Sequence, residues 1–490
     1  MTTSISSVGS LSSAGLGSGL DVSAIISSLM AIESRPLDLL KQQATSLNTQ
    51  ISTYGKLQNY FSTMRDKANA LTSSTLWDGT TASVSDTSAV KVTTSTGSTA
   101  GSYSVNVQSL AAAQTVVSNT FADSGTALGA GSLVIELGTW TGDPGDPFTP
   151  KSGAAAVTVD IVDGQSSLAE VRDAINAADA GVVASIVNDV NGARLSIRSK
   201  ETGAENAFRI TATETVDDGD PATGLSALSF DLGGGPSELT RKQTAANSLV
   251  QINGIDVESA TNTLDNVVDG LSMTLLKPTA TAVDVTVAAD TETIKTKLNE
   301  FVTAYNELNN YLRTQTAYNA STKTGGALQG DQSAVSLQNQ LRLVLNQAST
   351  ASASWSQLSQ VGITMAKDGT LSVNSTQLDA ALVNLPELEK LFAGDGADTG
   401  SSGFIRRYKE MADAALSIDG TFTMRKDGLQ SKLDRNGKSQ DALEVRLAQV
   451  EARLRRQYTA LDQSMASLNG LSNYVSQQMA MLAKTSSSDS

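Results

Sequence analysis

The chain has neither cysteine nor histidine in its 490 residues. Disulfides, thiolate nucleophiles, imidazole bases and zinc sites of the Cys/His type are therefore excluded together. Aromatic residues make up only 4% and charged residues 17%, against a usual charged share of about 25%. No apolar run reaches the roughly 18 residues a membrane helix needs, so no membrane span is expected. The first residues carry neither a basic region nor an apolar core, so an ordinary secretory signal is not expected either. Positive charge is scarce: 35 Lys and Arg face 50 Asp and Glu, a net charge of −15. Nucleic acid and anionic membrane surfaces are poor partners for such a chain. The deficit is local. Residues 119–236 hold 17 acidic and 6 basic side chains, a net −11, and the rest of the chain is close to balance.

A catalytic site would have to be built from Asp, Glu, Lys, Ser, Thr and Tyr. Paired carboxylates could do glycoside chemistry, but no spacing among the 50 acids singles out a pair. Ser is too frequent for a Ser/Lys arrangement to carry information. The glycines of "GLGSGLDVSAII" (15–26) suggest a phosphate cradle, yet no strand precedes them and no G-K-[ST] follows. Asp21 is better read as a helix N-cap before Ile25, Ile26, Leu29 and Ile32, with Pro36 ending that segment. Asp217, Asp218 and Asp220 in "VDDGDPATG" lack the order of a calcium loop and read as a solvated acidic turn. No catalytic residue, cofactor or metal ligand is expected, and the chain is read as a non-enzyme.

Long helical stripes are present at both ends. Leu40, Ala44, Leu47, Ile51 and Tyr54 step by 4, 3, 4, 3, and Leu57, Phe61, Met64, Ala68 and Leu71 repeat that pattern. The joint beside Gly55 adds a second consecutive 3, a stammer. This predicts a helix of about 37 residues, roughly 55 Å long. Near the C-terminus, Leu443, Leu447, Val450 and Leu454 form one seam. Tyr458, Leu461, Met465, Leu468, Ser472, Val475, Met479 and Leu482 form the next, with a stutter at Leu454. A helix over about 441–482 would span roughly 63 Å. Shorter stripes lie at Ile294–Leu312, Ala334–Val344 and Phe404–Ala415. Neither long seam can bury its stripe alone, so the two are expected to pair with each other or with other subunits.

The middle reads as strands. Tyr103, Val105 and Val107 alternate, as do Val157, Val159 and Ile161. Asn191-Gly192, Asn253-Gly254 and Asp368-Gly369 each join two strand-like runs and suit type I′ turns, where both central residues need positive φ. The loop "TGDPGDPFTP" (141–150) holds three of the eight prolines and punctuates this region. The expected fold is α+β and multidomain. Both termini build a helical coiled-coil stalk, and a β-rich head from about 79 to 279 is inserted between them.

Six stretches resemble, in order, the flagellar hook-associated protein 2 family of filament caps. They are "GLGSGLDVSAIISSLMAIESRPLDLL" (15–40), "VNVQSLAAAQ" (105–114), "DAGVVASIVNDVNGARLSIRSKETGAENAFRI" (179–210), "INGIDVESATNTLDNVVDGLSMTLL" (252–276), "VGITMAKDGTLSVNSTQLDAAL" (361–382) and "RLRRQYTALDQSMASLNGLSNYVSQQ" (453–478). The third is similar to a motif shared with flagellins, and the fourth is read as a strand pair with a short helix. The portions at 119–160 and 211–245 are generic and carry no such resemblance.

The resemblance implies a ring-like homo-oligomer of heads on helical legs at the distal tip of the flagellar filament. There it would help exported flagellin insert and keep it from escaping. It also implies flagellin, junction proteins, the export apparatus and a secretion chaperone as partners, and secretion through the flagellar type III channel. The implied divisions are an export leader and terminal leg at 1–36 and a stalk helix at 37–78. The proximal head follows at 79–118 and 237–279, with an acidic distal head at 119–236. A helical domain at 280–440, with a hairpin at 361–374, leads to a terminal coiled-coil helix at 441–490. Assembly is expected to rest on Leu40, Leu47, Ile51, Tyr54, Phe61, Leu71, Leu443, Leu447, Val450, Leu454, Tyr458, Leu461, Met465, Leu468, Val475 and Met479. The alternatives are another flagellar axial protein, or a surface adhesin whose acidic head binds host mucin or glycan.

Overall fold

The computed structural model describes residues 21–141 and 147–486. The export-leader reading of 1–20 and the middle of the 141–150 loop lie outside them. The chain divides into two compact units. One joins the chain up to Ser73 to the chain from Ile294 onward, and the other is Ser74–Thr293.

The first unit is helical. Asp21 accepts the Ala24 N–H at 2.9 Å and so caps the helix Val22–Glu33. Pro36 does not end the helical run outright. The break falls at Ser34, and Pro36 sits in the first turn of the next helix, Arg35–Leu71, where its missing N–H costs nothing. That helix has 37 residues and runs on through Gly55 without interruption. The helices Gln332–Asn346 and Phe404–Leu416 follow their stripes closely. Thr291–Thr316 enters this unit as a helix whose stripe, Ile294, Leu298, Phe301, Tyr305, Leu308 and Leu312, is fully buried. The last helix, Thr421–Ser486, starts 20 residues earlier than its seam suggested. The reason is Phe422 and Leu429, which are buried and extend the stripe toward its N-terminus.

Aromatic side chains, rare in the composition, are concentrated in this core. Phe422 packs on Phe61 at 5.0 Å and Tyr54 at 6.3 Å, and Tyr408 packs on Phe301 at 5.5 Å and Tyr305 at 5.6 Å. Each such ring buries a large apolar area, and the edge-on pairs add about 0.5–1.5 kcal/mol apiece.

The second unit contains two cores, one nested in the other. The outer core lies between a five-stranded antiparallel sheet and a three-stranded one. The five run in the order Thr80–Val84, Val283–Ala289, Gly101–Ser109, Ser248–Ile252, Ile255–Ser259. The three are Thr263–Val268, Leu271–Leu275 and Val90–Thr94. Val105, Val107, Val250, Leu271, Met273 and Val285 fill the space between. Residues 115–243 form the inner core. One sheet there has the order Thr240–Gln243, Thr115–Val117, Gly192–Ser199, Val182–Asp189. In the other, Gly131–Trp140 pairs with Ala207–Glu214, Phe148–Pro150 and Val157–Ile161. The helix Leu168–Ala177, opened by a Ser167/Glu170 capping box, packs into the same core through Leu168, Val171 and Ile175.

Three local expectations are corrected. The stretch 252–276 carries no helix: after Asn253-Gly254 it forms a second hairpin, Thr263–Val268 with Leu271–Leu275. "TLDNVV" sits on the edge of a small sheet, where its apolar residues need only one covered face. Asn191-Gly192 is not a type I′ pair, because Asp189 pairs with Gly192 and the turn residues are Val190 and Asn191. The Asp189 side chain accepts the Asn191 N–H at 2.7 Å and sets that turn. Asp368-Gly369 belongs to a three-residue loop in which only the glycine, φ 86°, is left-handed. Of the three Asx-Gly pairs, Asn253-Gly254 alone has both residues at positive φ, 50° and 83°.

Candidate assembly surface

The first and last long helices pack together, and side-chain pairs fix their direction. The Lys426 ammonium donates to Gln58 at 3.4 Å, the Asn436 amide donates to Gln43 at 3.0 Å, and Lys41 lies 3.7 Å from Glu444. As the number rises on one helix it falls on the other, so they are antiparallel. Val22 and Ile26 of the first helix are buried, and that helix packs on the same long partner. Continuing the register at 1.5 Å per residue brings Val22 opposite the long helix near Leu461.

Burial along the seam follows this register. Tyr54, Phe61 and Leu71 are fully buried, and Leu47 and Leu447 are buried. Leu40, Ile51, Leu443, Val450, Leu454, Tyr458 and Met465 are half-buried. Leu461, Leu468, Val475 and Met479 are exposed, by 45%, 59%, 51% and 65%. Leu471, Tyr474 and Met481 are exposed beside them. The structure therefore brings the N-terminal half of the predicted set together as a core. It leaves Leu461, Leu468, Leu471, Val475 and Met479 as an exposed apolar stretch among the described residues. The side chain of Leu482, the last member of the seam, lies outside the description.

One carboxylate ties three helices of this unit together, and no periodicity pointed to it. Asp331 caps Gln332–Asn346 by accepting the N–H groups of Ser333 and Ala334 at 3.0 and 3.3 Å. It also accepts the Tyr54 hydroxyl at 2.8 Å from the first long helix and the Arg425 Nε at 3.0 Å from the last. Burial alone would raise this carboxyl, but the hydrogen bonds from Tyr54 and Arg425 and the Arg425 charge hold it below the usual carboxylate range. Burial, with the adjacent carboxylate, pushes the Tyr54 hydroxyl well up. The only sequence signal was an N-cap at Asp331 before an amphipathic run. Its partners lie far away in the chain and could not be read.

No other side-chain cluster makes a better site. Among the described residues, Glu214, Asp217 and Asp218 are the one acidic group close enough together to hold a cation. Each is already used locally: Glu214 accepts Ser226 N–H, Asp217 accepts Gly219 N–H, and Asp218 accepts Asp220 N–H and the Thr223 hydroxyl. Among the described residues no helix is long and apolar enough to cross a membrane.

The comparisons with known proteins bear on the whole chain. Residues 18–114 match the family model described as the flagellar hook-associated protein 2 N-terminus, and 245–470 match its C-terminus. The flagellar hook-associated protein 2 of Escherichia coli K12 is 32% identical over 482 residues, spanning 96% of this chain and 98% of that one. The chain belongs to the flagellar hook-associated protein 2 family. The A-type flagellar hook-associated protein 2 of Pseudomonas aeruginosa is 29% identical, over 96% of this chain and 97% of its own. A crystal structure of the E. coli flagellar cap protein FliD, domains D1-D2-D3, superposes with a TM-score of 0.59 at 29% identity. It covers 77% of this chain and 99% of that chain. The two family matches stop and resume at 114 and 245, on either side of the nested inner core. A flagellin hook IN motif matches 133–201 inside that core. The helical ends and β-rich middle are the fold of this family.

Proposed function

We propose that this chain caps the distal tip of the bacterial flagellar filament as a homo-oligomeric ring, promoting insertion of exported flagellin and preventing its loss. The observation that carries the reading is the family relationship over nearly the full chain, joined to the exposed apolar stretch from Leu461 to Met479. A surface of that kind on a long helix needs a covering partner, and neighbouring helical subunits supply one. The work is geometric. It requires no cofactor and no covalent chemistry, and the chain reaches its site by the flagellar export route. Junction proteins and a secretion chaperone are its further partners in this reading. The similar proteins lend no support to the adhesin alternative.

A strain lacking the gene is expected to make and export flagellin but to leave it as monomer in the medium. Purified full-length protein added to uncapped filament ends should restore growth. Full-length filaments on the deleted strain, with only surface attachment lost, would overturn the cap reading in favour of adhesion.

A further inference from the structure

Charge on the last long helix, Thr421–Ser486, is sorted by side. Each residue turns an α-helix by about 100°, so a residue just before an inward position lies on one flank and a residue just after it on the other. The inward positions step by 3 and 4 from Leu433 to Leu454, and every one is buried or half-buried. Lys432, Arg435, Arg446 and Arg453 each stand immediately before such a position. Asp434, Asp441, Glu444 and Glu451 each stand immediately after one. One flank of the helix is therefore cationic and the other anionic.

The four cations are exposed, and none makes an ion pair among the described residues. Other cations of the same unit do find an acid: Lys67 lies 2.8 Å from Glu300, Lys295 2.6 Å from Asp379 and Lys409 2.9 Å from Asp413. On the anionic flank, Asp441 has no ion pair or side-chain hydrogen bond, and Asp434 accepts only the Gln430 amide at 2.9 Å. Glu444 and Glu451 are engaged in part, by Lys41 at 3.7 Å and Arg455 at 2.7 Å. Both cations approach Oε1, so the second oxygen of each acid keeps its acceptor sites. The side chains of Glu444 and Glu451 are 55% and 41% exposed, within reach of an incoming group.

We propose that the cationic flank of this helix packs beside the anionic flank of the same helix in the next copy. The proposal rests on the ring reading above and names a contact within it. Charge complementarity selects the occupant. Copies related by rotation about a ring axis have no axial offset, so facing charges must lie at nearly equal heights on a helix that follows that axis. Lys432 and Asp434, Arg446 and Glu444, and Arg453 and Glu451 are each two residues apart, about 3 Å in height. The contact joins two different surfaces and is heterologous, the kind that closes into a ring when the rotation between copies allows. Pairing through identical flanks would set like charges together, which disfavours a two-fold dimer.

The test uses the full-length protein in sedimentation velocity over a range of concentrations. Arg446→Glu with Arg453→Glu should weaken association about tenfold or more, and Glu444→Lys with Glu451→Lys should do the same. A chain carrying all four changes exchanges the signs of the two flanks and should regain most of the loss. Arg446→Gln with Arg453→Gln removes the charge without reversing it, and should weaken association in the same direction even if the reversed charges disturb the helix. Association of the unaltered protein should also weaken as salt is raised. Association as tight in both Arg446/Arg453 variants as in the unaltered protein would overturn this contact and leave the ring reading standing. A protein that stays monomeric at every concentration would overturn both.

Discussion

Asp331 shows how much a single residue can decide in this fold. Its carboxylate closes a helix N-terminus and at the same time receives Tyr54 and Arg425 from the two ends of the chain. Asp331→Ala removes the cap, worth about 0.5–2 kcal/mol. It also leaves a partly buried guanidinium without its counter-charge, and breaking such pairs costs about 3–5 kcal/mol at full burial. A loss of roughly 2–5 kcal/mol is expected for the helical unit, measured by denaturant unfolding of the whole protein. The pH dependence has a definite sign. The folded carboxyl is held below its ordinary value, so its contribution is complete above about pH 4 and is lost as pH falls further. Asp331→Asn should therefore be less stable at neutral pH and show a shallower decline in acid. An unchanged acid limb would show that Asp331 is not one of the groups that set it.

At the scale of the element, the long C-terminal helix changes character along its length. Leu447 is buried against the rest of its unit, whereas Leu461 keeps 45% of its surface open. The same substitution should therefore do different things at the two positions. Leu447→Asp buries a carboxylate and deletes a core contact, and should cost about 2–5 kcal/mol of stability. Leu461→Asp should leave the thermal midpoint of the isolated protein nearly unchanged and lower the yield of assembled rings or filaments. Normal motility in the Leu461→Asp strain would remove the exposed stretch from the assembly surface. Stammer and stutter both fall inside helices that run on unbroken, so each rewinds its seam without ending its helix.

At the scale of the whole chain, the β-rich unit is an insertion with an insertion of its own. Strands from 80–109 and 248–289 close the outer core, and 115–243 close the inner one. The two connecting segments pair at the Ala112–Ala246 bridge, and the Thr202 hydroxyl of the inner core donates to the Ala260 carbonyl at 2.8 Å. Each has a dense set of fully buried aliphatic side chains, and together they exceed the size at which a domain stands alone. The fragment Ser74–Thr293 is therefore expected to be soluble and to unfold cooperatively, without supporting filament growth. A fragment with no cooperative transition in a thermal scan would show that this unit depends on the helical one.

The sequence by itself determined the long helical seams, the insertion and the family. Helical spacing is local, each seam repeats many times, and hydrophobic periodicity survives the loss or gain of a few residues at the ends. Hairpin detail was less legible, since a turn type depends on register. The Asp189 side chain and the Asp189–Gly192 pairing place one turn a residue earlier than the Asn-Gly pair. Only the tertiary structure decided which seam residues are core and which are open, because that depends on how far an antiparallel partner reaches. It alone placed Asp331 between Tyr54 and Arg425. Those outcomes come from contacts between residues distant in the chain, and local pattern carries no information about such contacts.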